Sequence, residues 1–392
     1  MSTPAPLPRL PFSRPCITEA AALEVADVVR SGWITSGPKV AQFEREFAAA
    51  VGSPHAVALC SATAGLDVVF QAMDLQPGDE VITPSINWVS GPNMVELNGG
   101  RTVFCEVHPR SLNLDLADVV GRITPRTRAI MPVHFCGAPV DLAGVRRLAA
   151  ERGLVVVEDA AHAAGARHQG APIGQVAGER DVAVFSFHPT KNLTTAEGGM
   201  ITCRSEELAA RLRLLRFHGI RKDAWKNHAR SGKDLYRVER PGRKYNLTDI
   251  QAVLGIHQLR DLERMNAERA ALAAGYYERL AGCPILECLD DARPGDTHSW
   301  HIFVVLLRLE RLRINRAALV DILEGQGIGT ALHFPAVHPQ EHYARTYPGT
   351  SLPVSEALSE RLLTIPLFPG MTPADLDRVA AAFTQIAQEH GR

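Results

Sequence analysis

Residues 181–200 read DVAVFSFHPTKNLTTAEGGM. Val182 to Phe187 is a short apolar run with the length and composition of a buried strand. The run breaks at His188-Pro189, presents Lys191, and passes through a polar turn to Gly198-Gly199. This chain of 392 residues has 42 cationic side chains, yet only six are lysines: Lys39, Lys191, Lys222, Lys226, Lys233 and Lys244. An arginine cannot be deprotonated in a protein, whereas a lysine amine can lose its proton and attack a carbonyl to form a Schiff base. A strand-end lysine can equally be an ordinary snorkelling side chain. The rest of the chain decides between the two.

Upstream, strand-like runs at 56–59, 81–82, 102–107, 129–133 and 154–157 alternate with helical patterns that open near Ser61, Val89, Asp115 and Asp141. That rhythm predicts an α/β fold: a mostly parallel sheet flanked by helices, with ligands bound beyond the carboxyl ends of its strands. An irregular arm over 1–16 precedes helices over 17–30 and from Pro38 to about Val51. Downstream, a helix over 205–217 is followed by a long surface loop over 221–245 and a helical run from Thr248 to about Leu280. That run leads into a strand at 302–307 and helices at 315–326 and 373–389. The expected division is a large domain over 1–255, N-terminal arm included, and a smaller C-terminal α/β domain over 256–392.

Bulk composition narrows the class. Hydrophobic content of 46% and charged content of 22% suit a globular protein. A net charge of −1 gives no electrostatic case for nucleic acid or an anionic membrane. No 18-residue apolar span occurs, and the proline-rich N-terminus lacks an apolar signal core, so neither membrane insertion nor export is expected. The seven cysteines are odd in number, show no CxxC spacing and lie partly within apolar runs, which suits a reducing, cytoplasmic compartment.

Two further motifs bear on the lysine. Ser61-Ala62-Thr63-Ala64-Gly65 lies between a strand and a helix, where small residues let amides and hydroxyls approach an anion; it also reads as a plain helix cap. Leu154-Val-Val-Val-Glu158-Asp159-Ala-Ala-His162 delivers two carboxylates at a strand end, of which alternation sends only one to a given face. The sequence does not say which. A carboxylate there could keep a ring nitrogen protonated, with His162 placed to pack on a flat ring. Anion cup, acid and amine match the phosphate, ring nitrogen and aldehyde of pyridoxal 5'-phosphate. His298-x-x-His301 and His338-x-x-x-His342 lack a matching carboxylate, so no metal site is expected.

The blocks Ser186-Phe-His188-Pro-Thr-Lys191-Asn192-Leu-Thr-Thr-Ala-Glu197-Gly198-Gly199 and Val157-Glu158-Asp159-Ala-Ala-His162-Ala resemble the DegT/DnrJ/EryC1/StrS nucleotide-sugar aminotransferases, pyridoxal phosphate enzymes of fold type I. The resemblance runs from Pro11 to near the C-terminus. Blocks at 11–15, 31–39, 60–65, 244–250 and 332–334 are most similar to the UDP-4-amino-4-deoxy-L-arabinose:oxoglutarate aminotransferase branch. It implies ping-pong transamination from glutamate, leaving 2-oxoglutarate, to a 4-keto nucleotide-linked sugar. Lys191 would carry the internal aldimine and shuttle the proton, and Asp159 would be the ring-nitrogen partner. Ala62, Thr63 and Ser186 would bind phosphate, Trp88 and His162 would sandwich the ring, and Asn246 would reach the phosphate of the neighbouring subunit in a homodimer. Trp33, His188 and His333 would face the substrate.

The family's SLTWVST-like stretch is here Ser85-Ile-Asn87-Trp88-Val-Ser90-Gly91-Pro92, which bears on sugar fit. Dehydratase members carry histidine where Lys191 stands, so the lysine argues against deoxygenation. Amination at C4 or C3 of a dTDP-, GDP- or UDP-hexose is the alternative. A Schiff-base aldolase, which would need no phosphate cup, and a non-catalytic regulator that binds pyridoxal phosphate are more distant ones.

Overall fold

The computed structural model describes residues 8–220, 237–289 and 293–392; most of the loop expected over 221–245 lies outside them. The main sheet has seven strands in the order β1 (His55–Leu59), β9 (Gly199–Cys203), β8 (Val182–Ser186), β5 (Val155–Asp159), β4 (Thr127–Ile130), β2 (Glu80–Pro84) and β3 (Arg101–Cys105). Strands β3, β2, β4, β5 and β8 pair in parallel, and only β9 runs against its neighbours β8 and β1. Helices join β2 to β3 and β4 to β5, as is usual for parallel neighbours, whereas β5 reaches β8 through residues 160–181, which hold no helix. The connection from β8 to β9, residues 187–198, also has no helix but is shorter, and β9 returns antiparallel. That connection carries Lys191. Strand β9 is absent from the expectations above, which read Gly198-Gly199 as the end of a turn rather than the start of a strand.

Helices α1 (Glu19–Ser31), α2 (Pro38–Ala50), α3 (Ala62–Met73), α4 (Ser90–Leu97), α5 (Leu116–Arg122), α6 (Leu142–Arg152) and α7 (Glu206–Arg216) cover the sheet, and a small hairpin, β6 (Arg167–His168) with β7 (Ala171–Pro172), lies outside it. Both faces are apolar, so the strands read as continuous hydrophobic runs. Val156, Ala183 and Phe185 join Phe43 and Phe47 of α2 and Val145 and Leu148 of α6 on one face. Val155, Val157, Val182 and Val184 join Leu66 and Phe70 of α3 and Leu212 and Leu215 of α7 on the other.

A long helix, α8 (Asp249–Leu280), links this unit to a second one. Ala252, Ile256 and Met265 belong to the first core, whereas Leu272, Tyr276 and Leu280 belong to the second. The second unit is an antiparallel sheet of β10 (Leu286–Cys288), β11 (Phe303–Leu307) and β12 (Leu362–Ile365) with helices α9 (Arg316–Gly325), α10 (Glu341–Thr346), α11 (Pro353–Arg361) and α12 (Pro373–His390). The N-terminal arm packs here as well: Leu10 is buried in the second core and bridges to Ile328.

Candidate active site

The first part of the site is the start of α3. Ser61 caps the helix: its Oγ accepts from Ala64 N at 3.0 Å and its carbonyl from Gly65 N at 3.1 Å. Gly65 N makes the first intrahelical bond and Ala64 N is capped, so the amides of Ala62 and Thr63 at the helix start stay open, a ready anion site. Thr63 Oγ1 lies 2.7 Å from Ser90 Oγ. The reversed strand β9 presses on this turn. A Cβ at Gly199 would lie 2.5 Å from the carbonyl carbon and oxygen of Ser61 and 2.6 Å from Ala62 N, so only glycine fits. Ser186 pairs with Gly199 across the sheet, which sets it beside the cup.

Alternation along β5 separates the two acids that the sequence left open. Glu158 shares the face of Val156, where α6 lies, and is fully buried in an ion network. Arg146 Nη2 donates to Oε1 at 2.8 Å, and His134 Nε2 stands 3.3 Å from Oε2. Burial alone would raise the pKa of Glu158, but His134 and Arg146 outweigh it and hold the carboxyl below its usual range. Asp159 shares the face of Val157 and α3 and has a single partner among the described residues, Ala161 N at 3.1 Å to Oδ1. Burial raises its pKa against the pull of the Ala161 amide and the Lys191 charge.

Lys191 sits in a tight connection that closes through Phe187 N to Gly198 O at 2.8 Å and Thr195 N to Phe187 O at 3.0 Å. Its Nζ is 3.4 Å from Nε2 of His301. Burial pulls the amine down from 10.5 to about 8, with Asp159 opposing. His162 and His301 are also driven well below the ordinary imidazole value, first by burial and then by the Lys191 charge. His333 falls to about 4 for the same reasons. Thus an amine able to shed its proton near neutrality is ringed by imidazoles that stay neutral.

Aromatic rings form the remaining wall. Phe334 stacks on His162 at 5.6 Å and 29°, and Trp88 packs on Phe334 at 5.7 Å. His333 Nδ1 is bonded to Thr364 Oγ1 of β12 at 2.9 Å. The fold thus gathers Ala62, Thr63 and Ser186 at a cup, Asp159, His162, Lys191 and His333 around an amine, and Trp88 at the wall. It does not gather the other three. His188 is exposed, with Nδ1 3.0 Å from Thr190 Oγ1. Trp33, 59% exposed, donates Nε1–H to Ser36 O at 3.2 Å, and Asn246 donates to Ser36 Oγ at 2.7 Å while Lys244 engages its Oδ1. Trp33 and Asn246 therefore share one patch beside the end of β1, and neither bonds the Lys191 group within this chain.

Sequence reasoning missed His301 and Phe334. His301 had been weighed only as half of a metal pair, but its companion His298 turns away and stacks on Trp300 at 3.8 Å. The available signal was a polar histidine at the entrance of the apolar run 302–307. A cleft of about 620 Å³ does exist elsewhere, lined by Leu75, Arg128, Val155, Arg180, Val182 and Arg211 at the amino ends of the strands, and contains none of the site residues.

The donor set fits pyridoxal phosphate. The cup is a cradle that any side chain at 199 would fill, and Asp159 is a buried carboxylate with one oxygen lacking a protein partner among the described residues. His162 Nδ1 is buried without a partner among the described residues, and the pKa of the lysine amine is depressed. Independent comparisons agree. Residues 15–384 match the model of the DegT/DnrJ/EryC1/StrS aminotransferase family. DesV from S. venezuelae is 36% identical with a TM-score of 0.85, covering 97% of this chain and 99% of that one. The sugar aminotransferase Spr1654 from Streptococcus pneumoniae, solved in its PMP form, is 29% identical with a TM-score of 0.89, covering 97% and 98%. DesI, solved in the presence of its TDP-sugar product, is 30% identical with a TM-score of 0.86, covering 99% and 95%. The protein is an aminotransferase with the fold type I architecture, and it belongs to the pyridoxal phosphate-dependent DegT/DnrJ/EryC1/StrS family.

Proposed function

We propose that this aminotransferase moves the amino group of glutamate onto the C4 keto carbon of a nucleotide-linked sugar, of the UDP-4-keto-pentose type, by ping-pong transamination. The observation that carries the reading is Lys191, a buried amine brought near neutrality, facing the single-partnered Asp159 beside an anion cup. When bound, pyridoxal phosphate supplies an electrophilic carbon and an electron sink. Ala62 and Thr63 amides, the Thr63 hydroxyl and Ser186 hold the phosphate, and Asp159 holds a proton on the ring nitrogen. Lys191 Nζ would be the amine that holds the cofactor's electrophilic carbon at rest. When free, that amine would be the base that takes the proton from the Cα of the amino donor. Trp88 and His162 would pack against the ring, with His333 on the substrate side.

The sugar class draws on the similar structures, among them a sugar aminotransferase and a protein bound to a TDP-sugar product. The latter also keeps a dTDP-hexose in view as the second reading. Asn246 and Trp33, side by side at the sheet edge, suit a role in the site of a second copy, which makes the homodimer the working unit. The same reading divides the chain into a cofactor domain over 1–255 and a smaller domain over 256–392; two cores along α8 support two units, although Leu10 of the arm lies in the second core and Ile256 and Met265 in the first. Glutamate should change the absorption of the pyridoxal phosphate-loaded protein, and one nucleotide-linked keto-sugar from a UDP, GDP and dTDP panel should restore it. No change with glutamate rejects the aminotransfer, and restoration by a dTDP-hexose alone rejects the pentose.

A further inference from the structure

His301 enters the site from the second unit, immediately before β11, and is held there from both sides. Its amide donates to Cys136 O at 2.9 Å, on the loop that follows β4. Its carbonyl accepts from Nη1 of Arg269 on α8 at 3.1 Å, and the same nitrogen bonds Leu367 O at 2.9 Å. Two residues earlier, Ser299 Oγ donates to His162 O at 2.8 Å, and Ser299 O accepts from Asn192, the neighbour of Lys191, at 2.6 Å. Segment 299–301 is therefore stitched to the cofactor acid's loop, to the lysine turn and to the linking helix at once. The His301 ring is 1% exposed and packs on His162 at 4.3 Å. Nε2 is 3.4 Å from Lys191 Nζ, and Nδ1 is buried without a partner among the described residues.

Resting on the aminotransferase reading, we propose that His301 is the positioning residue for the Lys191 amine, holding Nζ by a hydrogen bond to Nε2 whenever the lysine is free to carry a proton. An ammonium has only donors, so toward protonated Lys191 the ring must accept at Nε2. A ring that stays neutral can keep that bond in both protonation states without competing for the proton. Because the ring is bonded to the second unit and Nζ belongs to the first, the amine is aimed only while the two units are docked.

The expected consequences follow from geometry. Small misplacement of a proton-transfer group costs up to about 100-fold in rate. His301→Leu keeps bulk and loses the bond; the glutamate half-reaction, followed in a single turnover, should slow by about 10-fold or more, in kcat rather than KM. His301→Gln, whose amide reaches the Nε2 position, should restore most of it. A readout free of turnover is the pH dependence of Lys191 acylation in cofactor-free protein, resolved by mass spectrometry. Loss of an acceptor for the ammonium should move its midpoint below that of the wild type in His301→Leu and leave it near the wild type in His301→Gln. The charged and titratable groups that face the pair, Asp159, His162, His333 and Arg269, are unchanged in all three proteins. An unchanged midpoint, or a rate unaffected once folding is matched by melting temperature, overturns the proposal. The acylation midpoint is read whether or not the protein aminates a sugar, so failure here is distinct from failure of the functional reading.

Discussion

Lys191 and Asp159 are each placed where chemistry gains and the fold loses. Lowering a lysine pKa from 10.5 to about 8 corresponds to about 3 kcal/mol of stability forgone wherever the unfolded chain is protonated. The unfolded state binds the extra proton, so the penalty is full below pH 8 and fades as pH rises toward 10.5. Lys191→Met should therefore raise the melting temperature of cofactor-free protein at pH 7, by an amount that shrinks above pH 10, while turnover vanishes. For Asp159 the folded pKa is raised, so the buried carboxylate costs stability above its unfolded value of 3.8. Asp159→Asn should be at least as stable as the wild type at pH 7 and inactive. Glu158, one residue away, should behave oppositely: Glu158→Ala strands His134 and Arg146 and should cost about 3–5 kcal/mol in denaturant unfolding. A stability loss at Asp159 larger than that at Glu158 contradicts the assignment of faces.

At the scale of elements, the reversed strand β9 is what completes the cup. It follows a short, helix-free connection, and it presses Gly199 against the Ser61–Ala62 backbone. Gly199→Ala must displace that backbone; a cost of about 1–3 kcal/mol is expected from overpacking, with weaker pyridoxal phosphate binding in a titration. Unchanged affinity would place the phosphate elsewhere. The same region shows how far sequence reasoning reached. The strand–helix alternation and the strand-end motifs were legible because parallel strands buried on both faces leave unbroken apolar runs followed by chemistry-bearing residues. Strand β9 was not, because its glycines carry a packing role that looks like a turn. The second sheet was largely illegible too: β10 and β12 are short, and α10 and α11 span too few residues to establish a period. His301 and Phe334 come from that poorly read half, and no local pattern announces that the first reaches Lys191 and the second His162.

Over the whole molecule, the residues that the single chain leaves apart from Lys191 are the informative ones. Asn246 and Trp33 form one hydrogen-bonded patch through Ser36, so a role across a dimer interface would recruit both. Lys191→Ala and Asn246→Ala are each expected to be inactive. Mixed and allowed to exchange subunits, they should regain about a quarter of wild-type activity, since a twofold heterodimer holds one intact site. No recovery despite exchange would place Asn246 in its own chain's site.

The central claim is that this chain's chemistry is carried by Lys191. Protein loaded with pyridoxal phosphate, reduced with borohydride and digested, should carry the cofactor mass on the peptide containing Lys191 and on none of those containing Lys39, Lys222, Lys226, Lys233 or Lys244. Addition of glutamate before reduction should abolish the label. A label on another lysine, or one that glutamate does not remove, contradicts the account.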